Sequence, residues 1–348
     1  MEPIVKKETK NSIHVDYEGK LTFKERMLSK LKTANTWIKV FINVLRFILM
    51  LGVSYVIIYP FISRIAGSFM TKEDMLDSTV SLIPKHFSLE IYKYIFVENH
   101  YFTALWNTLL LSLMCALVQT LISCLIGYGL AKFKFKGNSL VMIVVVISMI
   151  IPHRTLEYAI SQHFNDFDIL TVQAWGYKGP IELILGHTLS LQNTVLPLLV
   201  LSLAGLAFKN GLYIYLMRQF FKGVPDELEE SAYVDGSGVF RTFFQIILPL
   251  SVPMMITIFL FSFSWQWTDE FYSGIFWVSG HEFYLMSDIY AEVPDTLRNQ
   301  YQNFAGWGLY QNVVQNTAGM LVIAPLLVLY LFCQKYLVQG IERSGLVG

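Results

Sequence analysis

Long apolar runs alternate with short polar links along this chain. Six runs stand out, near residues 41–63, 105–130, 139–160, 192–217, 250–276 and 313–338. A helix needs about 20 mainly apolar residues to cross the hydrocarbon core of a bilayer, and each run is that long. The runs are apolar all round rather than along one stripe. That suits helices whose backbone groups pair internally while their side chains face lipid or neighbours. The pattern predicts an all-α membrane protein with six transmembrane helices. Composition agrees: 54% of residues are hydrophobic and only 15% charged, where a soluble protein carries about 25%.

The polar links set an orientation. Residues 1–40 carry nine basic side chains, and the links after the second and fourth runs carry Lys132, Lys134, Lys136, Arg218, Lys222 and Arg241. The link after the fifth run has Arg298 against Glu282, Asp288, Glu292 and Asp295. Basic links face the cytoplasm, so both termini are expected there. The first 40 residues are polar and predict no cleavable signal peptide. They form an N-terminal arm, for which two readings stay open: partly helical from Phe23 to Lys39 along the membrane face, or disordered. A six-span membrane domain covers 41–338 and a cytoplasmic tail 339–348. The outer links 64–104, 161–191 and 277–312 exceed simple turns and are expected to form a cap. The formal net charge is zero, so nothing points to nucleic acid.

The most informative link is 225–249. Pro225 suits a helix start, and Asp226, Glu227, Glu229 and Glu230 favour the positive end of the helix dipole. Leu228 and Ala232 share one face. Gly236 can take the positive φ that ends a helix. Ser237 is expected to cap a second helix bearing Val239, Phe240, Phe243, Phe244 and Ile247, after which Pro249 opens the fifth span. The result is a helix–turn–helix elbow with small residues at its tip.

Glu230, Ser231 and Ala232, then Gly236, Ile246, Leu248 and Pro249, stand at a known spacing. The stretch resembles the coupling loop of the permeases of ATP-driven, binding-protein-dependent importers. Their pattern is Glu-Ala-Ala, three residues, Gly, nine residues, Ile, one residue, Leu-Pro; Ser231 replaces the first alanine. RQFFKGVPDELEESAYVDG at 218–236 and the tail QKYLVQGIERSGLVG at 334–348 are similar to the second of two paired permeases in the maltose-type carbohydrate uptake family. The resemblance implies a type I ABC importer permease, not an enzyme. It implies ATP-binding cassette ATPase subunits as partners, a second paired permease, and an extracellular solute-binding protein delivering a sugar or oligosaccharide. Glu230, Ser231, Ala232, Asp235 and Gly236 would form the contact with the ATPase. ATP would be bound by that partner, since the only Gly-Lys pair, Gly19-Lys20, is no phosphate loop. No cofactor of the chain's own is implied.

Other polar residues leave alternatives open. Trp267 and Asp269 in the fifth run are candidates for the substrate path or for the aromatic belt at the outer interface. Lys209 is expected to snorkel to the cytoplasmic surface. Gln119 and Gly127 suit helix packing. His153, Glu157 and His163 match no zinc spacing, so no metal is expected. Cys115, Cys124 and Cys333 read as apolar thiols without a disulfide framework. A permease for another solute remains a rival reading, as does a self-contained secondary transporter, which would pair charges across spans.

Overall fold

A computed structural model describes residues 34–168, 179–277 and 283–343. The chain divides into two compact units. One holds the chain up to Ala66 with residues 81–83; the rest forms the other. The first unit contributes helix α1, Ala34–Gly67, with Pro60 inside it and Arg64 in its last turn. The arm helix expected from Phe23 lies largely outside the described residues.

The second unit is a helical bundle. Its long members are α2 (Tyr101–Lys132), α3 (Asn138–Ile150), α4 (Leu196–Leu203), α5 (Asn210–Lys222), α6 (Glu227–Val234), α7 (Val239–Trp267) and α8 (Trp307–Arg343). Among the described residues, four helices are long and apolar enough to cross a membrane: α1, α2, α7 and α8. The third expected span is bent by 97° between α3 and the helical segment His153–Asn165. Pro152 explains the bend, because proline drives the residue before it out of the helical region, and Ile151 is extended. The fourth expected span is two helices, α4 and α5. Gly205 at φ 71° and Lys209 at φ 64° separate them. The fifth was expected to begin at Pro249. Its helix starts at Val239 instead and passes Pro249 by widening into a π turn over Phe243–Ile247. A proline lacks the N–H for a regular turn and crowds the carbonyl before it, and a π turn absorbs both.

Polar contacts between helices are few and buried. Gln119 of α2 donates to Ser202 Oγ of α4 at 3.1 Å, and Ser262 Oγ of α7 donates to Gln119 Oε1 at 2.6 Å. Pro325 inside α8 leaves the Leu321 carbonyl without its usual donor. Tyr101 OH donates to that carbonyl at 3.0 Å, and Trp267 Nε1 donates to the adjacent Val322 carbonyl at 2.9 Å. Thus α2 and α7 are both fastened to α8 one turn before Pro325. Gly127 lets α2 and α5 touch, as the sequence predicts for a packing residue.

The connections at the end away from α6 are folded. Short helices Glu90–Val97, Met286–Ala291 and Asp295–Tyr301 pack Ile91, Ile95, Met286, Ile289 and Leu297 into a core shared with Trp267, Tyr310 and Val314. Asp74, 2% exposed, accepts from the His86 backbone N–H at 2.7 Å. Among the described residues no strand forms; there are two isolated bridges, Met70 with Phe87 and Phe167 with Leu189.

A pair of variants tests the α2–α5 contact. A Cβ on Gly127 would lie 2.6 Å from Met217 Cβ and 2.9 Å from Arg218 N, whereas a Cβ on Gly129 meets nothing within 4 Å. Alanine raises helix propensity by about 1 kcal/mol at either place, but overpacking costs about 1–3 kcal/mol. Gly127→Ala should lower the melting temperature of the detergent-solubilised protein, and Gly129→Ala should not.

Candidate functional site

The elbow grows from the end of α5. Pro225 precedes α6, Asp226 stands at its start, and Glu227, Glu229 and Glu230 fill its first turn, as the sequence predicts. Gly236 takes φ 81°. Gly236 N donates to Tyr233 O at 3.0 Å and Ser237 N to Ala232 O at 2.9 Å. This pair of bonds is the Schellman stop, which satisfies carbonyls at the helix end and favours glycine at the left-handed position. Ser237 does not cap the next helix. Gly238 occupies that place, with no side-chain cap bond.

The faces of the elbow divide cleanly. Ala232, Phe243 and Ile247 are buried; Phe243 and Ile247 share a cluster with Tyr128 of α2 and Phe221 of α5. Ala232 therefore faces the bundle, unlike its expected neighbours in the contact. Glu230, Ser231, Asp235 and Gly236 are exposed. Two large apolar side chains are exposed beside them, Val234 at 87% and Phe240 at 80%. Glu229 turns inward beside Tyr128. It is 8% exposed, and its Oε1 has no partner.

Lys132, the last residue of α2, holds the elbow's root. Its Nζ donates to the Val224 carbonyl at 2.7 Å and pairs with Asp226 Oδ1 at 2.5 Å. The Lys132 side chain is only 6% exposed, whereas Asp226 is open to solvent. The bond from Lys132 holds the Asp226 carboxyl below its ordinary 3.8. A depressed carboxyl pKa stabilises the fold above the ordinary value, and that contribution fades as pH falls below it. Sequence reasoning used Lys132 only for orientation; a pairing across 92 residues leaves no local signature.

The other expected site residues have internal partners. Trp267 is 2% exposed and bound to α8. Asp269 accepts from the backbone N–H groups of Tyr272 and Ser273 at 3.2 and 3.1 Å, and so opens the short helix Phe271–Phe276. Both border one small cavity with Thr108 and Trp277. Lys209 does not snorkel to the elbow side. Its Nζ lies 4.9 Å from the Phe208 ring and 5.3 Å from the Trp265 ring, and Trp265 sits at the far end of α7 from the elbow. A lysine inside a bilayer costs about 2.5–3.5 kcal/mol on insertion scales. His153 contacts Tyr272 OH through Nδ1 at 3.2 Å. Among the described residues no group of three or more His, Cys, Asp or Glu side chains is placed to hold a metal.

With this geometry in hand, comparison with known proteins decides the family. The model of the binding-protein-dependent transport system inner membrane component matches residues 119–343. The chain belongs to this family. Protein LplC of Bacillus subtilis is 27% identical over 312 residues, covering 85% of this chain and 92% of that protein. The arabinooligosaccharides transport system permease protein AraQ of Halalkalibacterium halodurans is 24% identical, over 85% of this chain and 93% of its own length. The maltodextrin transport system permease protein MalD of Streptococcus pneumoniae is 28% identical, over 86% and 94%. Among solved structures, a bacterial ABC transporter involved in the import of the acidic polysaccharide alginate has a chain that matches with a TM-score of 0.61 and 18% identity. The match covers 87% of this chain and 98% of that one, and it shows the shared fold. The protein is thus a multi-pass transport component of the membrane, and the elbow falls inside the matched segment of this permease.

The Lys132 clamp predicts a measurable loosening. Lys132→Met should raise amide hydrogen exchange across 226–236 by about fivefold or more, the equivalent of one lost bond of about 1 kcal/mol. Asp226→Asn, which keeps the Val224 bond, should raise it less. Unchanged exchange in both variants would show that the clamp holds nothing.

Proposed function

We propose that this permease forms the membrane path of an ATP-driven importer for a sugar or oligosaccharide. The observation that carries the proposal is the elbow: a capped, exposed tip at the family's spacing, on a root fastened to α2. An ATPase subunit grips that tip through Glu230, Ser231, Asp235 and Gly236, with exposed Val234 and Phe240 supplying apolar area. Ala232 supports the tip from within. The root transmits the push. Lys132 ties the start of α6 to α2, and Phe221 and Phe243 pack α5 and α7 around Tyr128 of α2, so closure of the ATPase displaces several spans together.

The same reading places the basic links and both termini in the cytoplasm, and the folded connections outside, where an extracellular binding protein delivers its load. A second, paired permease completes the path, and ATP is bound by the ATPase subunits. Sugar as the cargo rests on the relatives, whose names specify arabinooligosaccharides and maltodextrin. Trp267 and Asp269 serve the path by fixing the end of α7, Trp267 against the middle of α8 and Asp269 against the helix that follows, rather than by holding cargo. Loaded binding protein and nucleotide each prefer one state of the complex, as any driven shift between states requires.

The test separates docking from backbone strain. A Cβ at Gly236 meets nothing within 4 Å, so the permease alone has room for a side chain there. Gly236→Asn tolerates positive φ and should retain most coupled ATP hydrolysis. Gly236→Trp should cut co-purification of the ATPase by about tenfold or more, the scale of a contact hot spot, with the spans still inserted. Normal ATPase recovery and coupled hydrolysis in Gly236→Trp would sink the assigned role of the elbow.

A further inference from the structure

We infer that the break between α4 and α5 holds an anion-binding subsite, built around Lys209, for the carboxylate of an acidic saccharide. The inference rests on the importer reading above and names the chemical class of its cargo.

Depth comes first. Helix α5 begins one residue after Lys209 and runs 13 residues to Lys222, a rise of about 20 Å. A second ruler agrees. Asn210 reaches Ser123 of α2 with an Nδ2–Oγ distance of 3.5 Å. Ser123 precedes the end of α2, Lys132, by nine residues, or about 14 Å. Lys209 therefore lies near the middle of a hydrocarbon layer about 30 Å thick, and its ammonium points away from the elbow. A charge at that depth is costly, and by default it marks a functional site with a partner.

The described residues do not supply an anionic partner. Among them no carboxylate lies within 4 Å of Lys209 Nζ, and no hydrogen bond from it is formed. The ammonium rests instead over Phe208 and Trp265, whose ring centroids are 5.2 Å apart. Cation–π attraction lowers the cost of the charge without neutralising it. Asp269 is committed to the backbone N–H groups of Tyr272 and Ser273.

The surroundings fit a saccharide better than a bare ion. Lys209 lines a cavity of about 400 Å³ with Ser148, His153, Asn210 and Tyr272, a volume within the range of small-molecule sites. Asn210 is fully buried and its Oδ1 has no partner, which leaves an acceptor for a sugar hydroxyl. Trp265 lies outside this cavity and borders a small adjoining one with Phe208 and Tyr272, whereas Ile147, Leu156 and Leu201 give the cavity itself an apolar wall. The work is divided: Lys209 takes the carboxylate, Asn210 a hydroxyl, and the apolar wall the C–H face of the ring. Lys209 also owes its place to backbone geometry. Its positive φ turns the side chain out at the break instead of along a helix.

The experiment uses the complete transporter, reconstituted in proteoliposomes with its paired permease, ATPases and binding protein. Uptake and stimulated ATP hydrolysis are measured with a panel of galacturonate, glucuronate and mannuronate di- and trisaccharides, and with neutral malto-, arabino- and galacto-oligosaccharides of equal length. Acidic members are expected to be transported in preference to neutral ones. Lys209→Met should lower acidic uptake by about tenfold or more, the loss of one charged hydrogen bond, and Lys209→Arg should restore most of it. Transport of neutral members alone would overturn the subsite and leave the importer reading standing. Stimulation by no saccharide of either kind would overturn both. Acidic transport indifferent to Lys209→Met would overturn the subsite. So would loss of the paired permease from the Lys209→Met complex, because the ammonium would then serve an acid of that subunit.

Discussion

The bundle depends on one buried side chain. Gln119 is 3% exposed, and its amide is satisfied from two sides by Ser202 and Ser262. Without water, an amide left unpaired costs several kilocalories per mole, so the three partners hold one relative height. That fixes α2 against α4 and α7 at one level. Contacts further along follow in register: Asn210 near Ser123, Gly127 against Met217, and Lys132 at the Val224 carbonyl. Apolar packing against lipid has no comparable directionality, which is why so few polar bonds can determine the arrangement.

The lower end of this register is the elbow. Its tip is small and outward, and its root is apolar and inward. Glu229 and Glu230 show how adjacent residues of like charge divide between these tasks. One is turned toward Tyr128 and nearly buried, the other is exposed. A helix places successive residues about 100° apart, so a two-residue acidic pair serves both faces at once.

Much of this was legible in the sequence, and the limits have physical reasons. Hydrocarbon demands long apolar helices, so α1, α2, α7 and α8 are plain in the hydropathy. Turn chemistry is local, so the stop at Gly236 could be read from glycine alone. The bend after Ile150 has a signal in Pro152, which the apolar run hides. The break between α4 and α5 is weaker still: Gly205 and Asn210 lie in a run whose hydropathy is continuous. Trp267 and Asp269 were legible as unusual side chains for a membrane, but their partners, Val322 and the backbone of Tyr272, depend on tertiary pairing and local cap geometry. The direction of Lys209 was misread because snorkelling considers only the nearest surface, not aromatic rings brought in from α7.

The pair of ties beside Pro325 has a mechanical consequence. The neighbouring carbonyls, on Leu321 and Val322, are tied to two different helices by Tyr101 and Trp267. Sliding α8 past its neighbours would break both ties where no solvent can replace them. The junction is a locked joint rather than a spring. It makes α2, α7 and α8 one rigid frame, leaving the interrupted helices α4 and α5, whose junction is held by short turn bonds such as Leu206 N to Leu201 O in place of a continuous helix, as the articulation through which the frame can work.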